Sequence, residues 1–103
     1  METREKPYIT LLEESFPGIK ANIIRCDALG FSWETSKLFI KEVNGKALSH
    51  VALLECPMLV DGRWHKIGAL HGICTQTDSR GHGLASELIK EALHWSKGRC
   101  DTV

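Results

Sequence analysis

The residues best placed to do chemistry lie between Ile73 and Ala92, reading ICTQTDSRGHGLASELIKEA. An apolar strand end gives way to a polar loop, Gly81 and Gly83 flank His82, and an amphipathic helix follows. Glycine lets the backbone pass close to a ligand because no Cβ stands in the way. The first N–H groups of a helix have no partner within it, and with the positive end of the macrodipole they attract an anion. Arg80 adds a guanidinium that can reach the same phosphate through a fork of donors. The spacing predicts a phosphate or pyrophosphate cradle at a strand-to-helix turn. A glycine-rich turn capped by Ser79 would need no ligand, but two glycines at a helix start cost stability unless something approaches the backbone. A dinucleotide-binding turn would also use Gly81 and Gly83, with Asp101 about 20 residues further on. That fingerprint opens a parallel βαβ unit, whereas antiparallel hairpins are expected here.

Candidate acid–base groups lie close by. His71 alternates with Ile73 and Thr75, so a regular strand would put all three on one face. Its imidazole suits taking a proton from an ammonium near neutral pH; a hydrogen-bonded structural histidine is the other reading. The stretch from Trp64 to Gln76 carries no Asp or Glu, which leaves Glu55 on the preceding strand as the second candidate base. His82 is expected to face solvent or phosphate. His50, His65 and His94 show no helical ligand spacing and Cys26, Cys56, Cys74 and Cys100 no CxxC pair, so no metal site is predicted. Nothing beside Cys74 in sequence would lower its pKa, and it reads as an inert strand thiol rather than an acyl-carrying nucleophile. Trp33, Trp64 and Trp95 read as packing residues.

The elements that position these groups follow from periodicity and punctuation. Residues 1 to 6 are polar and expected to fray. Pro7 suits a first helical turn, and Ile9, Leu12 and Phe16 recur at helical spacing until Pro17-Gly18 stops the helix. Ile19, Ile23, Ile24 and Leu29 predict a second helix that ends at Gly30, although its β-branched residues leave a strand open. Ser32 to Ser36 is a connector. Lys37 to Val43 has strand composition, Asn44-Gly45 signals a tight hairpin, and a second strand runs from about Ala47 to Val60, where Asp61-Gly62 marks another hairpin. Pro57 cannot donate to a ladder, which predicts a bulge or bend around Cys56 to Met58. The third strand is expected from Trp64 to about Gln76, and the last helix from Arg80 or Gly81 to Ser96, with Leu84, Leu88, Ala92 and Trp95 on one stripe. Asp101, Thr102 and Val103 look like the start of a further strand.

Bulk properties narrow the class. A chain of 103 residues is one domain at most. Thirteen basic side chains balance thirteen acidic ones, which argues against nucleic acid or an anionic membrane as the main partner. The N-terminus is charged, with no signal peptide, and no apolar run approaches the ~18 residues of a membrane span. Reduced thiols in a cytoplasmic protein are the expectation.

Arg80-Gly81-His82-Gly83-Leu84-Ala85 fits Arg/Gln-x-x-Gly-x-Gly/Ala and follows a strand ending Ile73-Cys74-Thr75 behind a meander. This combination resembles the acetyl-CoA motif of the GNAT acyltransferase superfamily, well from Ser36 to Val103 and loosely before it. The resemblance implies an α/β (α+β) fold with a mixed, mostly antiparallel sheet and flanking helices, residues 1–103 forming a single partial domain truncated after the motif helix. It further implies that Ile73, Cys74 and Thr75 hold the pantetheine arm of acetyl-CoA and that amides of Arg80, Gly81, His82, Gly83, Leu84, Ala85 and Ser86 surround its pyrophosphate. The implied reaction is direct acetyl transfer to a primary amine, with a catalytically silent acyl-CoA-binding or assembly module as the alternative. Thr77 stands where many members have proline, and no first strand is evident in METREKPY. The sequence stops where the family continues with a strand, a helix and a closing hairpin. A fragment of a longer protein, or a small protein that completes its sheet as a homodimer, is therefore expected.

Overall fold

The fold is described from a computed structural model over residues 6–103; the frayed start expected from the polar N-terminus otherwise lies outside the described residues. Helix α1 (Pro7–Ser15) opens with proline at its first turn, where a missing N–H costs nothing, and buries Tyr8, Leu11 and Leu12 along one stripe. Gly18 turns the chain at φ +97° into α2 (Ile19–Ala28), confirming a helix where β-branched residues had left a strand open. No residue of α2 is buried; Ile19 and Ile23 only lean on the core.

Three strands follow in the order β1 (Lys37–Val43), β2 (Lys46–Val60) and β3 (Arg63–Thr75), all antiparallel. Both hairpins have the expected turns, with Asn44 and Gly45 at φ 51° and 75° and Asp61 and Gly62 at 49° and 76°. β1 begins opposite Leu53, so the far halves of β2 and β3 protrude as a two-stranded ribbon. Pro57 lies in that ribbon, paired with Lys66 in unbroken register, and the bulge expected there is absent. β2 has no neighbour on its other side at this point, and an edge tolerates proline. Trp64 is on the same ribbon and 71% exposed, against its expected role in packing.

The break in the β2–β3 ladder falls elsewhere. His71 pairs with Ala52 and Cys74 with His50, so Gly72 and Ile73 together oppose Val51. Gly72 adopts φ +62°, as the first residue of such a bulge often does. The strand is therefore not regular, and the shared face expected for His71, Ile73 and Thr75 is lost. His71 and Cys74 lie opposite Ala52 and His50, while Thr75 pairs with Ser49 on the other face.

Each face of the sheet carries a core. Tyr8, Leu11 and Leu12 of α1 pack with Ala47 and Cys74 on one side; Leu88 and Ala92 of α3 (Leu84–Ser96) pack with Phe39, Val51 and Leu53 on the other. α3 starts at Leu84 rather than at Arg80 or Gly81, because Gly81 and Gly83 adopt φ +85° and +74°, outside helical space. Beyond α3 the chain returns to β3. Gly68 N donates to the Thr102 carbonyl at 2.8 Å, Asp101 N donates to the Lys66 carbonyl at 2.7 Å, and Thr102 bridges Ile67 in parallel, which makes the sheet mixed. Among the described residues no helix is long and apolar enough to cross a membrane.

The glycines supply a test of this geometry. A Cβ at Gly72 would lie 2.9 Å from Trp33 Cζ2 and 3.1 Å from His50 Cε1, whereas one at Gly81 would meet nothing within 4 Å. Backbone strain of about 1–3 kcal/mol applies to both alanine variants, and the clash adds to it only at Gly72. Thermal denaturation should show Gly72→Ala losing roughly 10 °C or more and Gly81→Ala distinctly less; equal losses would contradict the packed bulge.

Candidate functional site

The predicted cradle is assembled from the C-terminal end of β3, a 3-10 turn at Thr77–Ser79 and the start of α3. Ser79 does not cap the helix: its hydroxyl donates to Gln76 Oε1 at 3.0 Å and closes the preceding turn. Gly83 offers no side-chain cap, and the first helical amide bonded back is Glu87 N, to the Gly83 carbonyl at 3.0 Å. The amides of Leu84, Ala85 and Ser86 thus precede the first helical hydrogen bond. Apart from its chain neighbours, no atom of the described residues stands within 4 Å of a Cβ built on Gly81 or Gly83, so the backbone there is open to a ligand. Arg80 Nε donates to the Thr75 carbonyl at 3.1 Å, which tethers an exposed guanidinium across the strand end. Ile73, Cys74, Thr75, Arg80 and Ala85 line one recess of about 360 Å³ with Ser15 and Phe16. His82 and Ser86 are exposed outside it, and Asp101 accepts from Lys66 N at 2.9 Å, far from any ribose-binding role.

The bulge beside this recess is held by a residue whose function the sequence did not disclose. His50 is fully buried, and its Nδ1 lies 2.8 Å from the Gly72 carbonyl. A carbonyl only accepts, so Nδ1 carries the proton and Nε2 is free to accept from Trp33 Nε1, 3.3 Å away. Both nitrogens are satisfied by the neutral ring. Burial lowers the His50 pKa, an effect the Gly72 carbonyl opposes and nearby His71 reinforces. Tyr8 stacks on the ring at 5.7 Å. A polar residue at the head of the apolar run Val51 to Leu54 was the available signal, since a buried imidazole demands partners.

His71 sits on the next stretch of β3. Its Nε2 lies 2.7 Å from Ser36 Oγ and its ring meets Trp33 edge-on at 4.9 Å. Burial lowers its pKa, so it is neutral at neutral pH. Ser36, missed in the sequence, precedes β1 without any motif around it. His71 and Ser36 lie at one side of a cavity of about 300 Å³ whose apolar walls are Ile19, Ile23, Phe31, Trp33 and Leu54. Glu55 is not brought to this place. It pairs with Gly68, about 10 Å along β3 from His71, and its carboxylate faces Lys66 Nζ at 3.7 Å. Cys74 is buried, and desolvation raises its pKa, in keeping with an inert thiol. Tyr8 is pushed up to about 12 by burial first and by Glu34 second, which keeps its hydroxyl protonated.

A bulged outer strand thus leads through a Gly-x-Gly turn into an uncapped helix start, on a sheet flanked by helices on both faces. Residues 2–102 match the family model described as acetyltransferase (GNAT) domain, and the chain belongs to that family. Over 73 residues it is 30% identical to an uncharacterized N-acetyltransferase of Methanocaldococcus jannaschii, a match that takes in 67% of this chain and 32% of the relative. The chain thus spans about a third of that relative's length. The fold is shared with a predicted acetyltransferase with acetyl-CoA from Clostridium acetobutylicum (TM-score 0.69, 15% identity, covering 89% of this chain and 66% of that one). It is shared equally with glucosamine-6-phosphate N-acetyltransferase from Arabidopsis thaliana (TM-score 0.69, 16% identity, 95% and 71%).

The buried His50 and the half-buried His71 predict an acid-sensitive fold. Above their ordinary value of 6.5 both are neutral folded or unfolded, and they add no pH dependence. Below it the unfolded chain takes up protons first, so stability falls with pH and levels off once the lowered folded-state pKa is passed. His50 should contribute a slope of up to about 1.4 kcal/mol per pH unit in that window. Circular dichroism melts between about pH 8 and about pH 5 should be flat above 6.5 and fall below it, less steeply in His71→Gln; a flat profile throughout would contradict the neutral pair.

Proposed function

We propose that this chain binds acetyl-CoA and transfers its acetyl group to a primary amine. The observation that carries the reading is the open cradle formed by left-handed Gly81 and Gly83 before the uncapped start of α3, at the end of a bulged strand. The amides from Arg80 to Ser86 would receive the pyrophosphate, with Arg80 as a charge at the rim. β3 is the outer strand of the sheet, so its backbone beyond the Thr102 bridge can pair with an extended arm at Ile73, Cys74 and Thr75, as a strand edge pairs with any extended chain. His71, which lines the α2 cavity, lies two residues before Ile73, which lines the recess of the cradle, about 7 Å along the strand.

The chemistry needs a proton removed from the amine nitrogen as the amide forms. His71 is the group proposed to take it: with Nε2–H donating to Ser36 Oγ, the neutral imidazole keeps Nδ1 as its acceptor at neutral pH. Cys74 stays out of the reaction because burial disfavours its thiolate. Glu55, paired with Lys66 on the ribbon, is the less favoured base. Cytoplasm is the proposed compartment, supported by the four free thiols. Self-association is supported by Met58, Leu59, Val60 and Trp64, exposed together on the protruding ribbon; light scattering that shows a monomer at high micromolar concentration would remove it.

Calorimetry and thiol release divide the possible outcomes. Gly83→Asp places a negative charge in the cradle and should abolish acetyl-CoA binding, and Arg80→Ala should weaken it less because the amides remain. Wild-type affinity in Gly83→Asp would refute the cradle. His71→Gln should keep acetyl-CoA affinity while amine-dependent CoA release falls about 10²-fold or more, and Glu55→Gln should leave release within a few-fold. Acetyl-CoA binding with no release for any amine would favour the silent module.

A further inference from the structure

We infer that the cavity between α2 and β3 takes an arylamine, an acceptor whose nitrogen is uncharged at neutral pH, rather than a lysine, a polyamine or an amino sugar. The inference rests on the proposed acetyl transfer and names the acceptor class for it. The space measures about 300 Å³, at the lower end of small-ligand sites. It is walled by Ile19, Ile23, Phe31, Trp33 and Leu54, and its polar groups are neutral side chains together with His71. No Asp, Glu, Lys or Arg lines it among the described residues.

That charge pattern selects the ligand. An ammonium drawn into such walls loses its hydration and finds no carboxylate, which costs several kcal/mol in this kind of setting (roughly). Asp27 and Glu34 line the adjoining cavity between α1 and α2 together with Lys6 and Lys20, and Glu34 already pairs with Lys6, while Glu55, next to Leu54 in the chain, faces Lys66 Nζ at 3.7 Å. An arylamine avoids the cost because its lone pair is delocalised into the ring, and it offers Phe31 and Trp33 an aromatic face. His71 fits the same substrate. With its pKa lowered by burial it is a poor base for an alkylammonium of pKa near about 10. It is adequate for the acidic N–H of an arylamine that has added to a thioester. In the balanced step the nitrogen forms a bond to the thioester carbonyl carbon, the C–S bond breaks, CoA leaves as thiolate with the electron pair, and the nitrogen's proton passes to His71.

Two isomeric amines separate charge from size: para-ethylaniline, uncharged at neutral pH, and para-methylbenzylamine, an ammonium. With acetyl-CoA saturating, thiol release should give a kcat/KM at least about tenfold higher for para-ethylaniline, with spermidine and lysine methyl ester slower still. Phe31→Asp, at a residue 72% exposed whose replacement spares the core, should erase that preference, and Leu54→Asp should do the same if it folds. Acetyl-CoA binding with faster turnover of para-methylbenzylamine or spermidine would overturn the acceptor class and leave acetyl transfer standing. Failure to bind acetyl-CoA would overturn acetyl transfer itself; calorimetric binding of para-ethylaniline, lost in Phe31→Asp, would still support the cavity assignment, and no binding would overturn that too.

Discussion

One hydrogen bond organises the working end of this fold: the buried His50 imidazole donating to the carbonyl of Gly72. A bulge leaves one strand with a residue the ladder does not pair, and the orphaned carbonyl would be costly inside the sheet. His50 absorbs it because neutral histidine offers one donor and one acceptor, and Trp33 occupies the acceptor. The ring is stacked on Tyr8, so α1, the connector before β1, and both strands meet on one side chain. Protonation would set two donors against each other at Nε2. The same burial that fixes the bulge therefore suppresses the charge that would undo it.

The bulge has consequences on both sides. It rotates His71 and Cys74 onto the α1 and α2 face while Thr75 remains with Ser49 on the other, so one strand serves the cradle at its end and the cavity before it. A regular strand would have placed His71, Ile73 and Thr75 together on one face. Gly72 is required because its φ of +62° and the 2.9 Å approach of Trp33 exclude a side chain. Gly68 plays a comparable part further along, where a Cβ would come 3.0 Å from Val103 and obstruct the returning chain.

Much of this was legible in local sequence. Asn44-Gly45 and Asp61-Gly62 announced both hairpins because only residues that accept positive φ make those turns. The Gly81 and Gly83 pair announced the turn before α3, and Asp101 to Val103 the beginning of a fourth strand, now seen as a parallel bridge to Ile67. What escaped were features fixed by neighbours distant in sequence. Pro57 pointed to a bulge, yet β1 stops short of it and the edge position makes the proline harmless. The real bulge needs His50, twenty-two positions from Gly72, and nothing local to either residue discloses that pairing. Ser36 joins His71 across thirty-five positions in the same way. Helix α3 began late because left-handed glycines cannot sit within a helix, a limit the stripe of apolar residues does not encode.

The loosely seated α2 completes the physical account. Its apolar residues are divided between leaning on the α1 core and standing exposed, Ile24 at 60% and Leu29, just past its end, at 71%. A helix that buried its whole apolar face against the sheet would fill the space before His71 and Ser36. Because α2 instead rests on α1 and the turn that carries Trp33, its Ile19 and Ile23 form a wall rather than a plug. The stability forgone in that packing is what keeps a cavity open beside a strand whose bulge already points a neutral histidine into it.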